Sequence, residues 1–171
     1  MGFPQGGVCS AKFWIIAFDR ALEIINSGTT KGYGFADDLC VLAGGSDINA
    51  SIDALQHKIN LLTKWGGTCN LKFSPAKSVP IIFRPSYKQI VPRKHLKIYG
   101  NKITYATSTR YLGVILDDRL SWTQHWAAKI PSNLRYLRML ANKMKQLHGP
   151  KPKLMKWIYT CLLYTSPSPR D

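Results

Sequence analysis

The most constraining feature of this sequence is a pair of adjacent carboxylates set between two apolar arms. Residues 32–36 read Gly-Tyr-Gly-Phe-Ala, Asp37 and Asp38 follow, and residues 39–43 read Leu-Cys-Val-Leu-Ala. Short runs of aromatic and branched residues, closed by Gly44-Gly45, predict two strands around a tight turn. Asp suits turns because its side chain bonds the nearby backbone, and a solvated turn is the ordinary origin of such a pair. A solvated turn, however, needs no apolar run on both sides. Two like charges this close repel, and a divalent cation removes that cost. Mg2+ takes hard oxygen ligands of this kind. Two such ions about 3.5–4 Å apart can stabilise both the attacking and the leaving oxygens of a phosphoryl transfer.

Charge points to a polyanionic partner. Lys plus Arg number 24 against 9 Asp plus Glu, a formal net charge of +15. Six of the nine acids fall within residues 19–53, whereas residues 54–116 carry eleven basic residues and no acid, and residues 119–160 carry nine and no acid. Basic stretches without acidic partners are the electrostatic footprint of nucleic-acid binding. The basic residues are dispersed among strands and loops rather than lined along one amphipathic helix, which disfavours a lipid surface. No apolar run approaches the ~20 residues of a membrane span. The four cysteines, Cys9, Cys40, Cys69 and Cys161, form no C-x-x-C pair, so neither zinc nor a disulfide framework follows from them. A reduced intracellular setting fits this usage.

Along the chain, residues 8–26 carry apolar side chains at helical spacing, with Ser10 as N-cap and Gly28 as stop. A second helix opens at Ser46 or Asp47, buries Ile48, Ile52, Leu55, Ile59 and Leu62, and closes at Trp65-Gly66-Gly67. Strands are predicted over residues 70–73, 79–83, 96–99, 102–105 and 110–116, with Gly100-Asn101 as a two-residue turn. Residues 85–94 read as an exposed basic loop. The last third is helical: Trp122, Trp126 and Ile130 share a face, Pro131 should break or kink the helix, and another helix spans residues 152–163. Trp65, Trp122 and Trp126 are read as core, His125 as structural, and His57 as solvated or capping. Residues 161–171 resemble translated adapter sequence from a sequencing library and are excluded from fold reasoning.

Four blocks in series resemble one family, the reverse transcriptases of non-LTR retrotransposons. Phe35-Ala36-Asp37-Asp38 is similar to that family's [YF]-A-D-D motif. Upstream, residues 2–8, Gly-Phe-Pro-Gln-Gly-Gly-Val, look like its G-x-P-Q-G loop. Downstream, residues 71–78, Leu-Lys-Phe-Ser-Pro-Ala-Lys-Ser, resemble the segment that carries the palm lysine. Residues 111–117, Tyr-Leu-Gly-Val-Ile-Leu-Asp, with Leu120-Ser121-Trp122 and His125, resemble the Y-L-G-V-x-L-D…L-S-W…H block. The resemblance covers residues 1–160. Phe35 stands for the commoner Tyr, Cys9-Ser10-Ala11 for Leu-Ser-Pro, and Ser74 for Asn; these departures are those of a drifting copy.

The resemblance implies an α+β fold. Residues 1–118 would form part of a polymerase palm, an antiparallel sheet with helices packed on one face. Residues 119–160 would begin a helical thumb. It implies an RNA-directed DNA polymerase with Mg2+ as cofactor and RNA template, DNA primer and deoxynucleoside triphosphates as partners, working in the nucleus. Asp37 and Asp38 would be the catalytic metal-site carboxylates, and Lys77 would stand near the pyrophosphate. Phe3, Pro4, Gln5 and Gly6 would line the nucleotide and template pocket. Tyr111, Leu112 and Gly113 would grip the primer end. The family's palm also uses a third aspartate from an earlier strand, expected before Met1 with the fingers, so the chain alone is expected to be inactive. The rival reading is a non-catalytic nucleic-acid-binding remnant of such a polymerase. A group II intron maturase would share the palm, but the Y-L-G-V…L-S-W block favours the retrotransposon.

Overall fold

The computed structural model describes residues 6–83, 92, 94–146, 152–154, 156, 157 and 160. It is α+β, and it divides into two compact units, Met1–Pro80 with Lys88–Ala106 and Ile81–Tyr87 with Thr107–Asp171.

The first unit is built around two helices. Helix α1, Ser10–Asn26, packs against the antiparallel pair β1, Thr30–Phe35, and β2, Asp38–Ala43. Phe18, Ala21 and Ile25 of α1 meet Leu62 in one core, with Trp14, Leu22, Leu39, Val41, Trp65 and Phe73 around it. Helix α2, Ile48–Thr68, opens on Asp47, whose carboxylate accepts the Asn49 N–H. A second core joins Ile52 of α2 to Leu96, Ile98 and Ile103, with Ile48, Leu55, Ile59 and Tyr105 beside them. Phe73 packs against both cores.

Helix α2 does not end at its two glycines. It runs on to Thr68, and Asn70 takes the left-handed conformation (φ 56) that closes it. The Leu71 N–H then donates to Gly66 O (2.8 Å) and the Asn70 N–H to Gly67 O (3.5 Å). This is a Schellman cap with Asn in place of the usual Gly. Residues 70–73 are therefore not a strand: the Leu71 N–H is spent on the cap, and the Phe73 N–H donates to the Tyr99 hydroxyl at 3.3 Å. Residues 79–83 form no strand either; Pro80 has no N–H to offer a ladder, and its carbonyl accepts from Ala106 N (3.0 Å).

At the far side of α2 a small hairpin pairs β3, Lys97–Ile98, with β4, Asn101–Lys102. Its turn is Tyr99-Gly100, one residue earlier than predicted, with φ of 50 and 80. The Gln56 amide on α2 donates to Lys97 O (3.0 Å) and accepts from Lys97 N (2.7 Å), pairing with β3 as a neighbouring strand would. The end of α1 is held by Lys58. Its ammonium is buried and donates to Ile24 O (2.9 Å), Ser27 O (2.5 Å) and Ser27 Oγ (2.5 Å). A cation at a helix C-terminus satisfies orphan carbonyls and opposes the negative end of the dipole.

In the second unit, residues 110–116 are not one strand but a hairpin. Strand β5, Ser108–Tyr111, pairs with β6, Val114–Asp117. The loop between them is Leu112-Gly113, with φ of 47 and 80. Positive φ at both loop residues matches the twist of the flanking strands. Helix α3, Thr123–Gln146, follows, packs on β6 and continues through Pro131 without a break. Proline forfeits one i→i−4 bond, that to Ala127 O, and turns on both sides carry the helix across it. Trp122 and Trp126 are 43% and 59% exposed, so neither is core; Trp122 precedes α3 with φ 63. Residues 152–154, 156, 157 and 160 are helical, whereas residues 161–171 lie outside the described residues. No described helix is long and apolar enough to cross a membrane.

Candidate active site

The two aspartates stand at the tip of the β1–β2 hairpin. Phe35 pairs with Asp38, so Ala36 and Asp37 form a two-residue loop and Asp38 is the first residue of β2. Ala36 has φ 52, a left-handed conformation that costs a residue with a Cβ some strain. That backbone is held by Trp14 on α1, whose indole N–H donates to Ala36 O at 2.7 Å. Trp14 stacks on Phe18 (centroids 5.4 Å apart), and Phe18 meets Trp65 edge-on at 6.5 Å. The turn is thus braced from behind by an aromatic row that runs into the core.

The strand is braced as closely. Side chains on β1 alternate between faces, and the face toward α1 carries Thr30, Gly32 and Gly34. A Cβ on Gly32 would lie 2.6 Å from Ile25 Cγ2, and one on Gly34 would lie 2.7 Å from Phe18 Cε1. The strand therefore approaches the helix nearer than any side chain would allow. Thr30 Oγ1 donates to Ile25 O, and the Gly32 N–H donates to Asn26 Oδ1 at 2.9 Å. The opposite face carries Lys31, Tyr33 and Phe35 (the last two 58% and 55% exposed), with Leu42, Cys40 and Asp38 of β2 across from them in that order. Asp37 is exposed at the loop, and Asp38 is half-buried. Burial raises the Cys40 thiol above its ordinary pKa.

The remaining predicted residues are spread over other elements. Lys77 ends the short 3-10 turn Pro75–Lys77 and is exposed; its N–H closes that turn on Ser74 O (3.3 Å). Gly6 has φ 85, with open space where a Cβ would be. Phe3, Pro4 and Gln5 lie outside the described residues. Tyr111, Leu112 and Gly113 sit at the β5–β6 turn in the other compact unit. The structure brings Asp37 and Asp38 together at one tip, and places Gly6, Lys77 and the β5–β6 turn on separate elements.

Below the β5–β6 turn lies a polar junction. Asp117 is only 8% exposed. One of its carboxylate oxygens accepts from Ser121 Oγ (2.7 Å) and Ser121 N (3.1 Å), the other from Trp122 N (3.3 Å). The Ser121 hydroxyl foremost, then the two N–H groups, hold the Asp117 carboxyl below its ordinary 3.8. His125 on α3 accepts the Ile115 N–H at Nδ1 (3.2 Å), which makes it structural, and its ring meets Trp126 at 5.9 Å. Reading by residue type found the carboxylate pair but missed Trp14 and the close-packed glycine face. The signal for the latter was present: alternate glycines within a strand mark a close approach of another element.

The family model for reverse transcriptase (RNA-dependent DNA polymerase) matches residues 1–116. The chain belongs to the reverse transcriptase family. Among its relatives is a retrovirus-related Pol polyprotein from type-1 retrotransposable element R1 2 of Nasonia vitripennis, 26% identical over 72% of this chain and 31% of its own length. A second Nasonia Pol polyprotein, from element R1, is 23% identical over 89% of this chain and 46% of its own. The RNA-directed DNA polymerase from mobile element jockey of Drosophila funebris is 26% identical over 95% of this chain and 18% of its own. This reverse transcriptase segment thus spans less than half the length of each of these three relatives, and the resemblance to non-LTR retrotransposon enzymes stands. No solved structure matches it.

Mg2+ is the cofactor the family implies, and the donors at the hairpin tip fit it in kind: two neighbouring carboxylates and no soft ligand. They do not fit it in number as a closed cage. Among the described residues no group of three or more His, Cys, Asp or Glu could hold a metal ion. Mg2+ commonly keeps several waters and takes one or two carboxylates plus substrate phosphates, so two carboxylates suffice in number for an open site.

Proposed function

We propose that this chain is the metal- and primer-binding part of an RNA-directed DNA polymerase that extends a DNA primer on an RNA template. One observation carries the reading: Asp37 and Asp38 occupy the tip of a hairpin that is braced from behind and leaves its aromatic face to solvent. A backbone held in this way sets where both carboxylates start from, so little main-chain reorganisation would be needed when charge develops at the reacting phosphate. Asp37 and Asp38 would hold the divalent ions, which supply the electrostatic stabilisation of phosphoryl transfer. Lys77 would offset charge on the departing pyrophosphate, and residues 3–6 would let nucleotide and template approach the backbone. Tyr111, Leu112 and Gly113 would meet the primer end. In this reading residues 1–118 belong to the palm and residues 119–160 begin the thumb, whose basic residues would contact phosphates.

The test is primer extension with Mg2+, deoxynucleotides and an RNA template by the polymerase that carries this segment. Asp37→Asn keeps the shape of the loop and removes a charged ligand. Extension should fall at least about 100-fold, with primer–template affinity little changed. Full activity in Asp37→Asn would sink the catalytic reading and leave a nucleic-acid-binding remnant.

A further inference from the structure

The block around Asp117 contains three polar side chains that none of the roles above uses. Asp117 stands at the end of β6, Ser121 in the following loop, and His125 in the first turns of α3. The Ile115 N–H goes to His125 Nδ1 and not to β5, so it lies on the β6 edge away from its partner strand. Because Nδ1 accepts, the ring proton sits on Nε2. Two residues further along the same strand, the Asp117 carboxylate takes two N–H groups and one hydroxyl from residues 121 and 122. The loop between is drawn tight: Leu120 N donates to Asp117 O (3.0 Å), Trp126 N to Trp122 O (3.0 Å), and Leu120 and Trp122 both have positive φ. Strand β6 is therefore tied to the start of α3 at two points. Two points of attachment fix a direction as well as a position, and the strand so fixed carries the Leu112-Gly113 turn at its other end.

We propose that Asp117 and His125 are positioning residues: by fastening β6 to α3 they set where the Leu112-Gly113 turn stands against the 3′ end of a primer. This rests on the primer-end reading of that turn given under Proposed function. Neither residue touches the primer; each acts through the strand. A hydrogen bond to a charged group is strong enough for its loss to matter about tenfold.

The 171-residue chain is titrated with an RNA–DNA duplex bearing a recessed DNA 3′ end and with a blunt duplex of equal length, read by fluorescence anisotropy. The wild type should prefer the recessed end by about tenfold, the scale of one well-placed polar contact. Asp117→Asn and His125→Leu should each bring that preference close to unity while blunt-duplex affinity stays within about twofold, since phosphate contacts are untouched. His125→Asn should restore the preference, because the Asn oxygen can accept where Nδ1 does. Amide exchange at Ile115 should rise in His125→Leu and return in His125→Asn. Preference retained in both Asp117→Asn and His125→Leu overturns the positioning role alone. Equal loss of both duplexes in these variants also overturns it, as the signature of general unfolding. A wild-type chain with no preference overturns the primer-end reading itself, and the proposal with it.

Discussion

The hairpin that carries the two aspartates and the hairpin of the second unit are built to the same plan and held by opposite means. Both turn in two residues, at Ala36-Asp37 and at Leu112-Gly113, and both use positive φ to do so. The first is braced by contact: two glycines lie flat against Phe18 and Ile25, and a tryptophan grips the turn from behind. The second is braced by hydrogen bonds that Asp117 accepts at the base of the hairpin and that His125 accepts from the Ile115 N–H, two residues beyond the turn. Close apolar packing fixes a backbone to within the play of a dense interior. The Asp117 tie holds only while that carboxyl stays charged. The difference fits the proposed roles, since metal ligands tolerate less displacement than a surface that follows a primer.

The largest break should come from filling the glycine face. Gly34→Val places a branched side chain where Phe18 Cε1 already stands 2.7 Å from a Cβ, and Phe18 is walled in by Trp14 and Trp65. A loss of ~2–3 kcal/mol in urea unfolding is expected, as for an overpacked core. Tyr33→Val, one residue back on the open face, should stay within about 0.5 kcal/mol. Equal losses at the two positions would show that β1 is not pressed against α1 in solution.

Acid should separate the hairpins next. The Asp117 carboxyl is held below 3.8, so its folded form is favoured while it is charged. The stability it contributes is present in full above 3.8 and is lost as pH falls through the lower folded value. Amide protection at Ser121 and Trp122 should therefore be kept above pH 3.8 and fade as pH falls below it. The glycine contacts of β1 contain no titrating acceptor and should not follow that curve. A smaller effect, about 1 kcal/mol, is expected for Trp14→Phe, which keeps the ring stack and deletes the N–H to Ala36 O. Broadened resonances confined to residues 35–38 would sharpen the assignment of that bond to the turn alone.

Much of the fold was legible because its signals are local. The acidic hairpin and both helices of the first unit follow from periodicity and turn chemistry, and Asp47 is one of the two caps offered for α2, whereas Ser10 is the first residue of α1 and not its cap. Where reading failed, a non-local partner had decided the matter. Gly66-Gly67 looks like a stop, yet a Cβ on Gly66 would meet Leu71 O at 2.7 Å, so that glycine makes room for the chain folding back. Residues 70–73 have strand composition, but the cap and Tyr99 had taken their donors. Of the break or kink expected at Pro131, the break does not occur, because one missing bond does not outweigh the turns around it. Trp122 and Trp126 read as core because they share a helical face with Ile130, but spacing says which side chains line up and not what is near enough to bury them. At the site, residue type identified the carboxylates. The grip on their turn came from a tryptophan 22 positions earlier, a partner that no spacing rule connects to them.

Lys58 has a consequence for observing the molecule. Its amine is enclosed by three oxygens from the end of α1, while Lys12, Lys31, Lys64 and Lys72 lie exposed or partly so. Acylating reagents will reach those four first, and modification at residue 58 must wait until the two helices part. The rate at which that single amine is tagged is then a clock for the opening of the scaffold behind the aspartates, built into the chain without any added probe.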